Sequence, residues 1–527
     1  MIPIQVASAT LSPPLTQRLA AISPERLRGM LRGIEKESLR AQPGGTLAMT
    51  PHSAALGSAL THPHITTDFS ESQLELVTGV HTCVEAALQE LTEIHQFTCR
   101  ILAKEGDEML WASSMPCVLP ADETIPIAGF GSSNVGRAKS IYRMGLSHRY
   151  GRRMQTISGI HYNWSLPGLT SAEYFSLIRN FRRHAFLLLV LFGASPAVCS
   201  SFVAGRPHEL QQLAGQTLFM PHGTSLRMGR LGYQSDAQAS LAVSYNSLDG
   251  YATSLQEALT QPYPAYEALG IRNAAGQYNQ LATTLLQIEN EFYGTIRPKR
   301  VTLPGERPLH ALRERGVEYV EVRLMDLDPL EPVGISAQTM RVLDIFLLHC
   351  LLTDSPPDTP AEIAELARNQ HRTAACGREP DLTLERAGSH VPLASWGVEL
   401  LDDFTPIAVA MDQAQGGDRY LEALHAARAK LHRPDTLPSA RVLAKMETAF
   451  ENSYLRFVQD CALKNRTAIL GMPFSDVLQT RFAAVTAESL EAQKRIETSD
   501  SMPFEVYRQK YLSAERLGLG VKETALA

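Results

Sequence analysis

The chain has 527 residues, 44% of them hydrophobic and 20% charged, and 49 Lys and Arg stand against 55 Asp and Glu for a formal charge of -6. That balance excludes a disordered chain, a collagen-like fibre and a polybasic nucleic-acid tail, and it provides no general pull toward DNA or an anionic membrane. The seven cysteines (Cys83, Cys99, Cys117, Cys199, Cys350, Cys376 and Cys461) have neither zinc-like nor redox-motif spacing, so they read as reduced thiols in a cytoplasmic protein. Met1 to Thr10 has no basic residue ahead of an apolar stretch, and no signal peptide is expected there.

In chain order, Ser23-Pro24-Glu25 predicts a helix start with Ser as the cap and Pro at the first helical position, and a stop near Gly33. Thr82-Cys83-Val84-Glu85 has capping-box spacing. Val84, Leu88, Leu91, Ile94 and Ile101 then recur at helical period up to Gly106. Ala185 to Cys199 is the most apolar run, but Gly193, Ser195 and Pro196 interrupt it. It falls short of the roughly 20 residues of a membrane span and predicts a buried core helix. From about Asp358 onward Ala, Leu, Glu and Arg dominate, which predicts a mostly helical part with helices over Arg419 to Lys430 and Ala440 to Gln459. Breaks are expected at Pro434-Asp435 and Met472-Pro473. The division is 1–357 as a core and 358–527 as helices packed on it, without separable domains, since the nearest linker, Ser355 to Thr359, is short.

Four stretches alternate and read as strands: Gly33 to Arg40, Ile157 to Leu166, Leu286 to Tyr293 and Val317 to Met325. Residues two apart share a strand face. Glu35 and Glu37 therefore sit side by side, roughly 7 Å apart. As ionised groups they repel by about 2 kcal/mol at an effective dielectric near 20. His161 and Asn163 oppose Ile160, Tyr162 and Trp164, while Glu321 and Arg323 oppose Val320, Val322 and Leu324. Glu289, Glu291 and Tyr293 oppose Ile288 and Phe292. A half-covered antiparallel sheet fits this pattern, its polar face being either plain solvent surface or the floor of a site. With Asp68 and Glu75 added, the acids and one imidazole suit magnesium or manganese better than zinc. Magnesium in turn favours a nucleotide, whose phosphates complete its shell.

Gly129-Phe-Gly-Ser-Ser-Asn-Val-Gly-Arg137 is glycine-rich but lacks the Lys-Ser/Thr of a P-loop and reads as a flexible loop. Two basic sets, Arg137, Lys139 and Arg143, and Ile296-Arg-Pro-Lys-Arg300, could neutralise a triphosphate or be solvated.

Taken together, Gly33-Ile-Glu-Lys-Glu-Ser-Leu-Arg40, Thr66-Thr67-Asp68-Phe69, Ser114-Met-Pro-Cys117, Gly136-Arg137, Met154-Gln-Thr-Ile-Ser-Gly-Ile-His-Tyr-Asn163, Leu286-Gln-Ile-Glu-Asn-Glu291, Ile296-Arg-Pro-Lys-Arg300 and Glu318-Tyr-Val-Glu-Val-Arg323 resemble the proteobacterial type of glutamate–cysteine ligase. The resemblance runs in order from about residue 16 to the end and is densest between 30 and 350. It implies an α+β, glutamine synthetase-like fold with an antiparallel active-site sheet. It also implies ATP-dependent joining of the L-glutamate γ-carboxylate to L-cysteine through a γ-glutamyl phosphate, the first step of glutathione synthesis. By the same resemblance Glu35, Glu37, Asp68, Glu75, His161 and Glu321 would form the Mg²⁺ (or Mn²⁺) shell. Arg227 (in Thr224-Ser-Leu-Arg) and Arg323 would bind glutamate and the transferring phosphoryl group. Phe69, Tyr142, Leu146, Gln155, Tyr233 and Tyr293 would line the cysteine pocket. The ATP phosphates would be met by Arg137, Lys139, Arg143, Arg297 and Lys299. Ala112-Ser113 departs from the family's Pro-Leu, which predicts a local packing change, and no functional residue is carried from the C-terminal third.

The expected partners are small molecules, with neither nucleic acid nor membrane, and a monomer is expected. Other readings stay open: another ATP-dependent carboxylate–amine ligase of the same fold, a metal-dependent amide hydrolase with little use for the basic blocks, or a non-catalytic glutamate-binding regulator.

Overall fold

Alternation at Leu31–Ala41 builds the longest strand, β1, and in the computed structural model the rest of the fold is arranged around it. The structure describes residues 14–232, 236–239 and 241–518. The expectation about Met1 to Thr10 lies outside them. The principal sheet also contains β2 (Ile65–Thr67), β3 (Gln73–Val77), β4 (Met109–Leu110), β5 (Ile160–Ser165), β9 (Ile296–Lys299) and β10 (Tyr319–Met325). Its order is β2-β3-β1-β5-β10-β9, with β4 also on β1, and every pairing is antiparallel. A three-stranded sheet has the order β6 (Ala197–Cys199), β8 (Thr217–Phe219) and β7 (Gln211–Ala214), and β11 (Thr383–Arg386) pairs with β12 (Ser389–Pro392).

One face of the principal sheet is apolar. Ile34, Tyr162, Val320 and Val322 are completely buried there, and Trp164 nearly so. The helices Val84–Glu105, Ser171–Phe192 and Ala337–Leu352 pack over that face. The opposite face carries the polar residues of β1, β5 and β10. The Ala185–Cys199 run behaves as its interruptions demand: helix to Phe192, a turn through Gly193, then β6. None of the described helices is long and apolar enough to cross a membrane.

Several local expectations are corrected. The helix starting at Pro24, capped by Ser23, ends at Arg28 rather than near Gly33, because the chain must already be extended at Leu31 to pair with Ser165. At Thr82–Glu85 the cap is Cys83, whose thiol donates to the Glu85 carboxylate at 3.3 Å and makes no bond to the helix backbone, and Glu85 turns outward to Arg341 and Arg419. Leu286 to Tyr293 is not a strand: Glu289–Glu291 form a single 3-10 turn. Ion pairs impose it, Glu289 bonding Arg307 while Glu291 bonds Arg149 and Tyr150. Ala440 to Gln459 is two helices, Pro438–Phe450 and Tyr454–Gly471, separated where Glu451 and Asn452 adopt left-handed backbone (φ 51° and 59°). Cys117 and Cys199, 82 residues apart, are joined as a disulfide with Cα atoms 5.0 Å apart, so only Cys83, Cys99, Cys350, Cys376 and Cys461 are free thiols. Sequence spacing carries no information on a pair that tertiary folding assembles. Ser113, at the Ala112-Ser113 departure, is buried and shares a 2.7 Å hydrogen bond with the Tyr454 hydroxyl.

Candidate active site

The polar face of the sheet is the floor of a cavity of about 590 Å³. Strand register builds it. Glu35 lies opposite His161, Glu37 opposite Glu75, Glu75 opposite Thr66, and Glu321 between Asn163 and Arg297. The carboxylates and the imidazole of four neighbouring strands therefore point into one space.

The contacts are close. His161 Nδ1 is 3.1 Å from Glu35 Oε2 and 3.9 Å from Glu321 Oε1, and its Nε2 is 3.6 Å from Glu37 Oε1. Asn163 donates to the other Glu35 oxygen at 2.9 Å, and the Gly159 N–H donates to Glu37 at 2.8 Å. Burial and the nearby Asp68 push the Glu37 carboxyl up to about 8. Burial, with Glu35, Asp68 and Glu37 around it, drives Glu75 well above the usual carboxylate range. Glu35 and Glu321 go the other way. Burial and the Glu321 charge would raise Glu35, but the His161 hydrogen bond and the Lys299 charge bring it below the usual carboxylate value. Burial would raise Glu321, but Arg323 (2.7 Å) and Lys299 (3.2 Å) hold it well below that range. Burial and the Arg323 charge lower His161, leaving a neutral imidazole able to act as a ligand.

This donor set has a definite chemical character. It is oxygen-rich with one imidazole and no sulfur, which suits a hard divalent cation. Glu35, His161 and Glu321 each offer a ligand atom within 4.8 Å of the others. Burial first and the neighbouring carboxylates second raise Glu37 and Glu75, and a divalent ion held among them would bring both down.

Arg227 and Arg323 face the acids. Arg227 sits in the 3-10 turn Leu226–Met228, capped by Ser225, is completely buried and donates to the Arg323 carbonyl at 2.8 Å. Ser225 is fixed by Asp326, which also accepts from Ser195 and the Ala194 N–H. Gly159 makes room for the arginine, because a Cβ there would lie 2.1 Å from Arg227 Nη2.

The helix Asn134–Tyr150, capped by Ser133, supplies another wall. Lys139, Tyr142, Arg143 and Leu146 recur on its cavity side at spacings of three and four. Phe69, Asp68, Gln155 and Tyr293 line the same space, and Gln155 donates to the Tyr293 hydroxyl at 2.8 Å. Arg297 and Lys299 enter from β9.

The cavity thus brings together Glu35, Glu37, Asp68, Glu75, His161, Glu321, Arg227, Arg323, Phe69, Tyr142, Leu146, Gln155, Tyr293, Lys139, Arg143, Arg297 and Lys299. Arg137 does not join them. It is one residue off the inward face of its helix, and its guanidinium stacks 4.3 Å over the Phe504 ring. Tyr233 lies outside the described residues. Glu289 and Glu291 are spent in their ion pairs.

Two walls carry no sequence signal, one of them formed by Arg182, Arg183 and Phe186 of the helix Ser171–Phe192. Asn369, Gln370 and His371, on the helix Pro360–Cys376, line the cavity, and Gln370 donates to the Met228 carbonyl beside Arg227. Their helix shows only the ordinary period of a packed surface, which gave no signal.

Comparison with known proteins agrees with this architecture. The glutamate–cysteine ligase family model matches residues 17–170 and 168–373. A glutamate–cysteine ligase from Alcanivorax borkumensis is 45% identical over 94% of this chain and 99% of its own. The one from Azotobacter vinelandii is 47% identical over 92% and 94%. The crystal structure of a glutamate–cysteine ligase from Francisella tularensis, in complex with AMP, superposes with a TM-score of 0.87 at 35% identity, covering 92% of this chain and 98% of that one. A bifunctional glutathione synthetase from Pasteurella multocida gives a TM-score of 0.68 at 25% identity over 89% of this chain and 57% of that one. A sheet floor of acids facing two arginines, on this fold and at these identities, leads to one conclusion: the chain belongs to the glutamate–cysteine ligase family.

Proposed function

We propose that this chain uses ATP to join the γ-carboxylate of L-glutamate to the amine of L-cysteine, giving γ-glutamylcysteine, ADP and phosphate. The observation that carries the reading is the single cavity in which an acidic sheet floor, two buried or half-buried arginines and a wall of tyrosines converge. An amide hydrolase would have no use for the cationic wall, and a binding regulator would have no use for so many clustered carboxylates.

A carboxylate is a poor acyl donor, because oxide would have to leave. Transfer of the γ-phosphoryl group of ATP to the glutamate carboxylate oxygen gives γ-glutamyl phosphate. The neutral cysteine amine then attacks its carbonyl and phosphate departs. Glu35, Glu37, Asp68, Glu75, His161 and Glu321 would hold Mg²⁺. Bound there, Mg²⁺ supplies charge neutralisation and alignment of the phosphate oxygens. Arg323 and Arg227 stabilise charge as it moves between donor and acceptor oxygens. Lys139, Arg143, Arg297 and Lys299 draw the triphosphate in, while Arg137 takes no part. Tyr142, Tyr293, Gln155, Phe69 and Leu146 form a small recess for the acceptor side chain. In this reading residues 1–357 carry the chemistry, and 358–527 brace it and close one wall.

Isotope transfer tests the reaction. With ¹⁸O in the glutamate γ-carboxylate, one label should appear in the released phosphate per turnover. Normal γ-glutamylcysteine formation with unlabelled phosphate overturns the acyl phosphate route. ATP consumption independent of glutamate overturns the assignment altogether.

A further inference from the structure

On the helix Ser171–Phe192, His184 does not line the cavity although Arg183 and Ala185 on either side of it do, and it meets His349 and Cys350 of the helix Ala337–Leu352. Their donor atoms lie within 4.8 Å of one another. His349 is 2% exposed and Cys350 is fully buried. Asp403, at the end of the helix Leu393–Asp403, places Oδ2 3.7 Å from His349 Nε2.

The ring nitrogens are the anomaly. His184 Nδ1 and both His349 nitrogens are buried with no hydrogen-bond partner among the described residues. Buried polar atoms are nearly always satisfied, and each exception calls for a cause. Aromatic packing against Trp396 and Phe404 accounts for the rings but not for their nitrogens. Burial holds both imidazoles in the neutral, ligand-competent form, assisted at His184 by His349, Arg183 and Arg386.

We propose that His184, His349 and Cys350 form a three-donor site for a borderline-soft divalent cation of the zinc class, clamping two core helices together, with the fourth position open to water. Two imidazoles and a thiolate match zinc in softness, and three protein ligands with one water complete its usual four. A tetrahedron with bonds of about 2.0–2.3 Å has edges of about 3.3–3.8 Å. His184, His349 and Cys350, within 4.8 Å of one another, reach that range by shifts of about 1 Å, and Asp403, 3.7 Å from His349 Nε2, stands beside the set. Binding releases the Cys350 thiol proton to solvent, and the metal takes the sulfur lone pair. The thiolate and the nearby Asp403 offset the two charges of the metal, while Arg183 and Arg386 are paired with Glu362 and Glu399.

Cobalt(II) is the probe, because its bond to thiolate gives a near-ultraviolet charge-transfer band that the catalytic cavity, whose lining includes no cysteine, does not produce. The full chain, stripped with chelator and then saturated with Mg²⁺, is titrated with Co²⁺ alone. One equivalent should bind with that band, and Zn²⁺ should displace it. Cys350→Ser should abolish the band and His349→Gln should weaken binding at least tenfold, whereas Cys461→Ser should change neither. Absence of the band in the unaltered chain, or its persistence in Cys350→Ser, overturns the site. Since each variant alters a buried group, X-ray absorption of the zinc-loaded unaltered chain provides a test independent of folding. A shell with one sulfur at about 2.3 Å supports the proposal, and a shell of nitrogen and oxygen only refutes it.

Discussion

Glu75 shows how a single residue can be wrong for stability and right for function. It sits opposite Glu37 with Glu35 and Asp68 also nearby, and its raised carboxyl reflects burial and that repulsion. A neutral isostere removes the repulsion and also a ligand for the cation. Glu75→Gln should therefore leave the melting temperature of the metal-free protein unchanged or higher, while ATP turnover falls at least about 10²-fold. Calorimetry in chelator, paired with ADP release, checks both halves, and near-normal turnover would remove Glu75 from the ligand set. Gly159 is the complementary case, a residue whose value lies in what it lacks. A methyl group there would come within 2.1–2.5 Å of three atoms of the buried Arg227 guanidinium and push it out of place toward the cavity it lines. Gly159→Ala should lower kcat about 10²-fold with the fold retained by circular dichroism, close to the effect of altering Arg227 itself. Alternation on β1, β5 and β10 made the acids, His161 and Arg323 legible from sequence. Arg227 depends on a 3-10 turn and on the Asp326–Ser225 bond, neither of which has a local pattern, and only the resemblance placed it.

At the scale of elements, the active-site sheet is tied to the C-terminal helices by one buried carboxylate. Asp344 pairs with Arg32 of β1 at 3.0 Å, both side chains being fully buried, and accepts from Tyr162 of β5 at 2.8 Å and from Tyr420 at 3.0 Å. Tyr420 belongs to the helix Arg419–His432, so a single side chain joins two strands and two helices. Removing it leaves Arg32 charged and buried without its partner. Asp344→Ala should destabilise the protein by about 3–5 kcal/mol. Tyr420→Phe, which removes one hydrogen bond, should destabilise it by about 1 kcal/mol. Denaturant midpoints measure both, and equal losses would show that the network is not centred on Asp344. Sequence periodicity marked the helices and the strands but not this junction, because Asp344 lies in an otherwise apolar helix and its partners are 76 to 312 residues away.

Across the whole molecule, the far end of the chain secures the start of the helix that carries Lys139, Tyr142, Arg143 and Leu146. Asp500 accepts from the Asn134 side chain at 2.6 Å and also from its N–H, and Phe504 lies beneath Arg137. Arg307 reaches the Tyr511 carbonyl at 3.0 Å while holding Glu289. Ending the chain after Ser499 should therefore cut kcat/KM for cysteine at least about tenfold, mostly through KM, while the far-ultraviolet spectrum keeps its strand signal. An unchanged KM would show that the helix holds its position without this brace.

The sequence by itself determined which residues of β1, β5 and β10 share a strand face, the Ser23 cap and the stop at Gly106, and that acids, one imidazole and arginines belong to one chemistry. These properties follow from backbone period and side-chain type, and both are local. Only the tertiary structure decided which cations enter the cavity. Arg137 and Arg143 belong to the same helix, but a single step around it sends one onto Phe504 and the other toward Asp68. It alone folded Leu286 to Tyr293 into a turn, joined Cys117 to Cys199, and brought the helix Pro360–Cys376 to the cavity rim. Those outcomes depend on which distant groups meet once the core closes. Ion pairs, a disulfide and packing are settled between segments, whereas alternation is settled within one.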